Sequence, residues 1–352
     1  MTIIEEDPHA PLLEVNGLTT RFRTDAGELV AVDDIDFTIN EGETVCIVGE
    51  SGSGKTVASE SITRILKSPP ANVQGEIKFK GVNLAQLSEK QLRSYRGNRI
   101  AHIFQNPQEG MNHCYSIGWQ IVEAIRVHED VTKAEARARA IELLDRVGIP
   151  NASSRFSDYP HEFSGGQKQR IMIAMALVGN PDLLIADEPT TALDVTVQAQ
   201  IIKLLDEIQA EFNMGVLFVT HDLGVVAEIA DRIIVMYAGK VMERGDVLDL
   251  FECPAHPYTR ALMRCVPGTG TVTGGIPGSL PNPLDPPPGC RFAERCEFAV
   301  DQCTAGDQPD EIEIEPGHRV SCVYYGPGMD ESPLMDSNAQ ERRTPEGQIA
   351  DD

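Results

Sequence analysis

Residues 49–56 read GESGSGKT and fit the pattern G-x-x-x-x-G-K-[ST], whose chemistry is phosphate binding. A continuously apolar run, TVCIVG, leads into them, and KTVASESITRILK follows with helical spacing of its apolar residues. Glycines let backbone N–H groups converge on phosphate oxygens, and a helix N-terminus adds partial positive charge. In such a loop Lys55 would contact the β- and γ-phosphates of a nucleotide, and the Thr56 hydroxyl would bind Mg²⁺. The predicted phosphate loop consists of Gly49, Glu50, Ser51, Gly52, Ser53, Gly54, Lys55 and Thr56.

A second acidic element stands at 183–189, where LLIADEP reads as a buried strand that ends in two carboxylates. Ligands of open α/β sheets bind at the carboxyl ends of the strands, which is where Asp187 falls. We expect Asp187 to hold Mg²⁺, directly or through water, and Glu188 to polarise a water for attack on the γ-phosphate. The alternative is an acidic pair that only caps a helix, and the phosphate loop disfavours it.

Four cysteines, Cys290, Cys296, Cys303 and Cys322, follow a Pro/Gly-rich segment with spacings of x5, x6 and x18. Structural zinc sites usually contain close C-x2–4-C pairs, and this stretch has none. Disulfides are unusual in a reducing cytosol. Four thiolates can ligate one iron–sulfur cluster, and the bound cluster would stabilise a segment that has little hydrophobic core of its own. An iron–sulfur cluster, zinc, disulfides and merely packed thiols all remain open from spacing alone.

The composition of the 352 residues limits the partners and the compartment. The net charge is −24 and the basic residues are mainly arginine, which argues against a general nucleic-acid binder. This balance is typical of proteins from a salt-rich, halophilic cytoplasm, and the alternative is an ordinary acidic protein with an acidic tail. No run of about 18 apolar residues could span a bilayer. The first 15 residues lack a basic region followed by a long apolar one. We therefore expect a cytosolic chain.

Strand and helix patterns alternate along most of the chain. LLEVNGLTTRF, ELVAVDDIDFTI, GVLFVTH and RIIVMYAG read as strands, and IGWQIVEAIRVHE, TKAEARARAIELLDRVGI and VTVQAQIIKLLDEIQAEFN read as helices, the second with a capping box from Thr132 to Glu135. This alternation predicts an α/β fold with a largely parallel sheet. The predicted divisions are an N-terminal arm (1–11), a nucleotide-binding domain (12–248) with a helical part at about 106–178, a cysteine-rich C-terminal extension (249–326) and an acidic, disordered tail (327–352).

Further motifs occur in an order that resembles ATP-binding-cassette (ABC) ATPases. FSGGQKQR at 163–170 looks like the signature motif of that family, and it is accompanied by FQNP with Gln105, TALD ending at Asp194 and VTHD with His221. The resemblance covers about residues 12–325. It implies a P-loop NTPase cassette with a RecA-like parallel core, an antiparallel β subdomain and a helical subdomain.

The resemblance also implies roles for these residues. Ser164, Gly165, Gly166 and Gln167 would bind the γ-phosphate of the ATP held by a second subunit, so that each nucleotide lies between two chains. Asp194 would line the dimer interface, Gln105 would sense the γ-phosphate and Mg²⁺, and His221 would clamp the γ-phosphate. Phe22 stands where the family places an aromatic ring that stacks on adenine, although a phenylalanine in a strand is often a core residue.

The segments HPYTRAL and PPGC…C…C…GHRVSC resemble the ATPase subunits of oligopeptide, dipeptide and nickel importers. That resemblance implies a [4Fe–4S] cluster on Cys290, Cys296, Cys303 and Cys322, and Zn²⁺ is kept as the alternative from the residues themselves. It also implies a homologous partner ATPase, two permease subunits, an extracellular solute-binding protein and a place on the cytoplasmic face of the membrane. After Gln105 the chain has GMNH where peptide importers usually have an SLNP-like run. The alternative, a soluble cassette acting in translation or DNA maintenance, is disfavoured by the single cassette and the acidic charge.

Overall fold

The computed structural model describes residues 6–191, 193–265, 275–326 and Leu334. The strands in this part of the chain are β1 (Leu13–Thr24), β2 (Gly27–Ile39), β3 (Thr44–Val48), β4 (Ala71–Phe79), β5 (Val82–Asn83), β6 (Ile100–Ile103), β7 (Leu183–Asp187), β8 (Gly215–Thr220), β9 (Arg232–Tyr237), β10 (Lys240–Asp246), β11 (Ile312–Glu315) and β12 (His318–Val320). The helices are α1 (Lys55–Ile62), α2 (Glu89–Leu92), α3 (Pro107–Gly110), α4 (Ile117–His128), α5 (Lys133–Arg146), α6 (Ala152–Arg155), α7 (Gly165–Ala176), α8 (Val195–Phe212), α9 (Leu223–Ile229), α10 (Val247–Glu252) and α11 (Pro257–Arg264).

Two sheets organise the described residues. The larger sheet has the order β11-β12-β10-β9-β3-β8-β7-β6, and its strands from β9 to β6 are parallel. Strands β3, β7 and β8 are buried along their whole length, as expected for strands covered on both faces. The smaller sheet, β2-β1-β4-β5, is antiparallel. The predicted α/β fold with a parallel core and an antiparallel β subdomain is confirmed.

Helices α3 to α7 lie between β6 and β7 in the chain and fall within the predicted helical part, 106–178. The predicted capping box is present: the Thr132 N–H donates to Glu135 Oε2 over 2.9 Å, and the Glu135 N–H donates back to Thr132 Oγ1 over 3.3 Å. Helix α1 is shorter than its pattern predicts. It ends at Ile62, and the left-handed φ of 53° at Arg64 prevents the helix from continuing.

The C-terminal extension, residues 249–326, is built into the cassette. Strand β12 pairs with β10, so that Glu243 lies opposite Val320, and β11 continues the same sheet. Side chains of Cys290, Phe292 and Cys303 belong to the main hydrophobic core. The sequence predicted a small appendage without a core of its own. The strands β11 and β12 are too short to show a period, and the partner of β12, β10, lies far away in sequence.

A buried carboxylate joins the extension to the cassette. Glu243 of β10 is fully buried and accepts the backbone N–H groups of Ala255 and His256 over 2.7 and 2.8 Å. Its Oε1 also lies 2.7 Å from Nε2 of the buried His318 on β12. Burial alone would lower the pKa of His318, but the hydrogen bond and negative charge of Glu243 outweigh it and raise the pKa.

This pair makes stability depend on pH. Because the folded pKa of His318 is raised, its contribution is fully present below its unfolded pKa of about 6.5 and is lost as pH rises through the folded pKa. We expect His318→Ala to lower the free energy of unfolding by roughly 3 kcal/mol at pH 6 and by less at pH 9. Urea denaturation at both pH values measures the difference, with His9→Ala on the exposed N-terminal arm as the control. An equal loss at both pH values would contradict the assignment.

The ends of the chain are described in part. Within the predicted arm, Glu6 forms an ion pair with Arg99 over 2.8 Å, and residues 1–5 lie outside the described residues. The predicted tail, 327–352, also lies outside them except for Leu334, which is buried. In the part that is described, the helices lack the combination of length and apolar character that a membrane span needs.

Candidate nucleotide-binding and catalytic site

The phosphate loop, Gly49–Thr56, connects β3 to α1 as predicted. Gly54 adopts a φ of 102° directly before α1, and a methyl group on its Cα would lie 2.3 Å from the carbonyl oxygen of Ala31. Lys55 is buried, and its Nζ donates to the carbonyl oxygens of Gly49 and Glu50 over 2.8 and 2.9 Å. Burial lowers the pKa of Lys55, against the opposing charges of Glu188, Asp187 and Glu50. The loop therefore places a cation and several N–H groups at the carboxyl end of β3.

Thr56 and Asp187 form a candidate Mg²⁺ site. The Thr56 hydroxyl donates to Asp187 Oδ1 over 3.2 Å, although the two residues come from α1 and β7. Asp187 is only 2% exposed, and burial raises its pKa to about 6, with the charge of Glu188 adding to the effect. A hydroxyl and a carboxylate are ligands that Mg²⁺ prefers, and a divalent cation would favour the ionised form of Asp187.

Glu188 is the centre of a second group of contacts. Its Oε2 accepts hydrogen bonds from Gln105 Nε2 over 2.9 Å and from the Thr191 hydroxyl over 2.8 Å, and His221 Nδ1 lies 3.2 Å from its Oε1. Burial would raise the pKa of Glu188, but the hydrogen bonds of Thr191 and His221 outweigh it and hold the pKa below its ordinary value. The carboxylate is therefore ionised at neutral pH and able to accept a proton.

Glu188 also has an unusual backbone. Its φ is +44°, a left-handed conformation that few residues other than glycine adopt, and its N–H donates to the Val219 carbonyl of β8 over 2.8 Å. Strained backbone held in place by its surroundings is common at functional sites. This conformation turns the side chain of Glu188 away from the line of β7 and towards Gln105 and His221.

A cavity of about 540 Å³ is lined by Ser51, Gly52, Gly54, Lys55 and Thr56 of the phosphate loop. Gln105 and Glu188 line it together with Lys55 and Thr56, so the structure brings the main predicted catalytic and phosphate-binding residues to one place. Residues 29–31 of β2 form another wall. Phe22 of β1 pairs with Leu29 of β2, but Phe22 is not among the described residues that line the cavity. Its contact with adenine stays a prediction.

The signature residues lie at a different place on the described surface and do not line this cavity. Ser164 caps α7: its Oγ accepts the Gln167 N–H over 3.4 Å, and Gln167 Oε1 accepts the Ser164 N–H over 3.1 Å. Asp194 caps α8 in the same manner by accepting the Val197 N–H over 3.0 Å. Ser164, Gly165 and Asp194 are exposed, so the two helix N-termini are open to another molecule.

The cysteines of the C-terminal extension influence one another. Cys290 donates its N–H to the Cys303 carbonyl over 2.8 Å. Burial raises the pKa of Cys290 and Cys296 to about 11 and that of Cys322 to about 12, and neighbouring thiols of the set add to each shift. Backbone N–H groups also point at these three sulfur atoms. Among the described residues, however, no three His, Cys, Asp or Glu side chains are arranged to hold a metal ion.

Three functional candidates were missed from the sequence. Thr191 contacts Glu188 and lies only three residues after it in DEPTTALD, so its closeness in sequence could have indicated this contact. Tyr258 and Arg295 both bind Glu50 of the phosphate loop. Each lies more than 200 residues away from Glu50 in sequence, so no local pattern pointed to them.

Comparison with known proteins yields two family matches. Residues 32–191 match the model of the ABC transporter family, and residues 242–303 match that of the oligopeptide/dipeptide transporter C-terminal region. A Brucella melitensis protein whose name describes a peptide import ATP-binding protein is 52% identical over 330 residues, covering 90% of this chain and 97% of the relative. A Sinorhizobium fredii protein, named for a peptide ABC transporter, is 48% identical over 325 residues, covering 91% and 97%.

Solved structures show the same relationship. A dimeric structure of the bacterial ABC transporter cassette MJ0796 has a TM-score of 0.60 at 29% identity and covers 67% of this chain and 98% of that one. The structure of cbiO1 from Clostridium perfringens, part of an ABC transporter complex, has a TM-score of 0.57 at 30% identity and covers 70% and 91%. The chain thus belongs to the ATP-binding proteins of ABC transporters, in the branch that carries the oligopeptide/dipeptide transporter C-terminal region.

Proposed function

We propose that this chain is the ATP-hydrolysing subunit of an importer that takes up di- and oligopeptides, or a related solute such as nickel, through separate permeases. The observation that carries the proposal is the arrangement of Glu188, Gln105 and His221 beside the phosphate loop. The names of the relatives support a peptide as the solute.

The residues divide the hydrolytic work among them. Lys55 and the loop N–H groups bind the phosphates, and Glu188 accepts a proton from the attacking water. His221 and Gln105 contact the γ-phosphate. Thr56, Asp187 and Gln105 would hold Mg²⁺, which neutralises charge on the phosphates when bound.

A second cassette is needed to complete each site in this proposal. The exposed N-terminus of α7, with Ser164, Gly165, Gly166 and Gln167, would meet the γ-phosphate held by the partner, while Asp194 would line the interface. The dimeric cassette structures among the solved neighbours support this arrangement. We propose a homologous but different ATPase subunit as the partner.

An aromatic pair marks the surface proposed for the permeases. Tyr115 and Trp119 stack with ring centroids 4.0 Å apart, and their exposed fractions are 44% and 42%. They lie in the segment after Gln105 that departs from the usual peptide-importer sequence. We propose that a cytoplasmic segment of each permease covers these rings, which places the chain peripherally on the cytoplasmic face, with a solute-binding protein on the other side. The salt-rich cytoplasm is proposed from the net charge of −24 and from the predominance of arginine among the basic residues, and a KCl titration of the Tm tests it.

Recovery of partners from solubilised membranes tests the importer function. The tagged wild-type chain is expected to retain permease subunits. Trp119→Ala should reduce that recovery more than tenfold, because truncation of an aromatic side chain at the centre of an interface often costs about 2 kcal/mol of binding free energy or more. Val127→Ala, on the same helix with a 66% exposed side chain, is the matched control. Recovery of ribosomes or DNA in place of permeases would overturn the proposal.

We further propose that Cys290, Cys296, Cys303 and Cys322 hold a [4Fe–4S] cluster, with Zn²⁺ as the alternative. The mutual influence of the thiols and the N–H groups aimed at three of them support a shared site. Since no three of these side chains are arranged for an ion in the described residues, their rotamers would have to change on metal binding. The thiols must also lose their protons, because thiolates are the ligands.

Spectroscopy of anaerobically purified protein distinguishes these metals. We expect visible-region absorbance and about four iron and four sulfide per chain. Cys290→Ala should remove both, whereas Cys265→Ala, outside the set of four, should keep them. A colourless wild-type protein that contains zinc would reject the cluster.

A further inference from the structure

The phosphate loop is held by residues of the C-terminal extension. We propose that Arg295 and Tyr258 act as positioning residues that fix Glu50, and thereby keep the loop in the shape that binds ATP. The proposal rests on the assignment of Gly49–Thr56 as the phosphate loop and gives the extension a direct part in nucleotide affinity.

Arg295 grips the Glu50 carboxylate with two parallel hydrogen bonds. Its Nη1 donates to Glu50 Oε2 over 2.6 Å and its Nη2 donates to Oε1 over 3.0 Å. The side chain of Arg295 is only 5% exposed and that of Glu50 is 28% exposed, so the pair is partly shielded from water. A bidentate pair of this kind is stronger and more directional than a single hydrogen bond between neutral groups.

The other donors of Arg295 are also occupied. Its Nη1 donates to the Tyr237 hydroxyl over 3.1 Å, Nη2 donates to the Ile276 carbonyl over 2.8 Å, and Nε donates to the Pro277 carbonyl over 2.8 Å. A guanidinium has five N–H donors, and these bonds together with the two to Glu50 use all five. Lysine, with three donors on one nitrogen, cannot reproduce this arrangement.

Glu50 is fixed at its backbone as well. Its N–H donates to the hydroxyl of the fully buried Tyr258, on α11, over 2.9 Å. Its carbonyl oxygen accepts from Lys55 Nζ over 2.9 Å. The carboxylate, the N–H and the carbonyl of one loop residue therefore each have a partner, and the extension supplies two of the three.

The extension also lines the nucleotide cavity next to the loop. A methyl group on Gly52 would lie 3.2 Å from Leu280 Cδ1, and the Pro283 carbonyl accepts the Val30 N–H over 3.0 Å. Residues 280–283 thus line the cavity beside residues 29–31 of β2. The extension therefore contacts the phosphate loop at both Glu50 and Gly52.

Titration of the full-length chain with ATP, in a Glu188→Gln background that prevents turnover, tests the proposal. Arg295→Gln is expected to weaken ATP binding about tenfold, the loss expected from one charge-assisted contact. Arg295→Lys should bind ATP nearly as weakly, and Arg295→Gln combined with Glu50→Gln should be no weaker than either single variant. Additive losses, or rescue by lysine, would overturn the proposal.

A second arginine provides the matched control. Arg244 of β10 pairs with Glu311 of the extension, away from the loop, so Arg244→Gln loosens the extension without touching Glu50. It should lower the Tm but keep the ATP affinity. Unchanged affinity in Arg295→Gln, or an equal loss in Arg244→Gln, would overturn the positioning role. Normal affinity in Lys55→Ala would instead reject the phosphate-loop assignment on which the proposal rests.

Discussion

Replacement of Glu188 by glutamine is expected to lower the rate of ATP hydrolysis by about 10²–10⁴-fold, which is the usual contribution of a general base. Glutamine keeps the size of the side chain and an oxygen that can accept from Gln105 and Thr191, but it cannot take a proton at neutral pH. The loss should therefore appear in kcat. The affinity for ATP should be unchanged, because the phosphates are bound by other groups.

Release of phosphate and equilibrium binding of ATP measure the two quantities in parallel. Glu142→Gln, on the exposed face of α5, is the control for the same chemical change at another position. Hydrolysis by Glu188→Gln at the wild-type rate would show that another group activates the water. A fall in both kcat and ATP affinity would mean that the substitution disturbed the loop as well.

Replacement of Gly54 by alanine is expected to weaken ATP binding by about 100-fold, since a strained backbone of this kind costs of order 1–3 kcal/mol. The new methyl group would lie 2.3 Å from the Ala31 carbonyl oxygen, and a φ of 102° is unfavourable for any residue with a side chain. The loop would have to shift, and its N–H groups would no longer converge on the phosphates.

Gly27→Ala is a control for Gly54→Ala, because Gly27 also has a positive φ but has open space for a methyl group. It has a φ of 135°, but nothing lies within 4 Å of the position that its methyl group would take. We expect Gly27→Ala to keep the ATP affinity of the wild type, whatever its effect on the Tm. Equal affinities for the two variants would show that the close approach of Gly54 to Ala31 does not shape the site.

Much of this site could be predicted from sequence because its residues follow the ends of parallel strands. Gly49 follows β3, Asp187 ends β7 and His221 follows β8, and these three strands are neighbours in one sheet. Parallel neighbours end at the same edge, so residues far apart in the chain meet there. The left-handed backbone of Glu188 had no signal in the sequence, because it depends on the surrounding contacts.

The role of the C-terminal extension could not be predicted in the same manner. Strand β12 has only three residues, and its partner β10 lies more than 70 residues earlier. The bond from Arg295 to Glu50 spans 245 residues. Neither feature produces a periodic pattern or a short spacing in the sequence. The Pro/Gly-rich composition around Cys290 predicted a separate, metal-stabilised appendage instead of a part of the core.

Because β12 pairs with β10, the chain should not be shortened at the end of β10, close to residue 242 where the second family match begins. A protein shortened to end near Asp246 would leave the outer edge of β10 without hydrogen-bond partners and a hollow where Phe292 had been. Bare sheet edges recruit other chains, so such a fragment would precipitate or oligomerise when expressed. Assays of such a fragment would not report on the intact protein, and a shortened chain must extend at least to Tyr325, which keeps β12, Cys322 and the buried Tyr324.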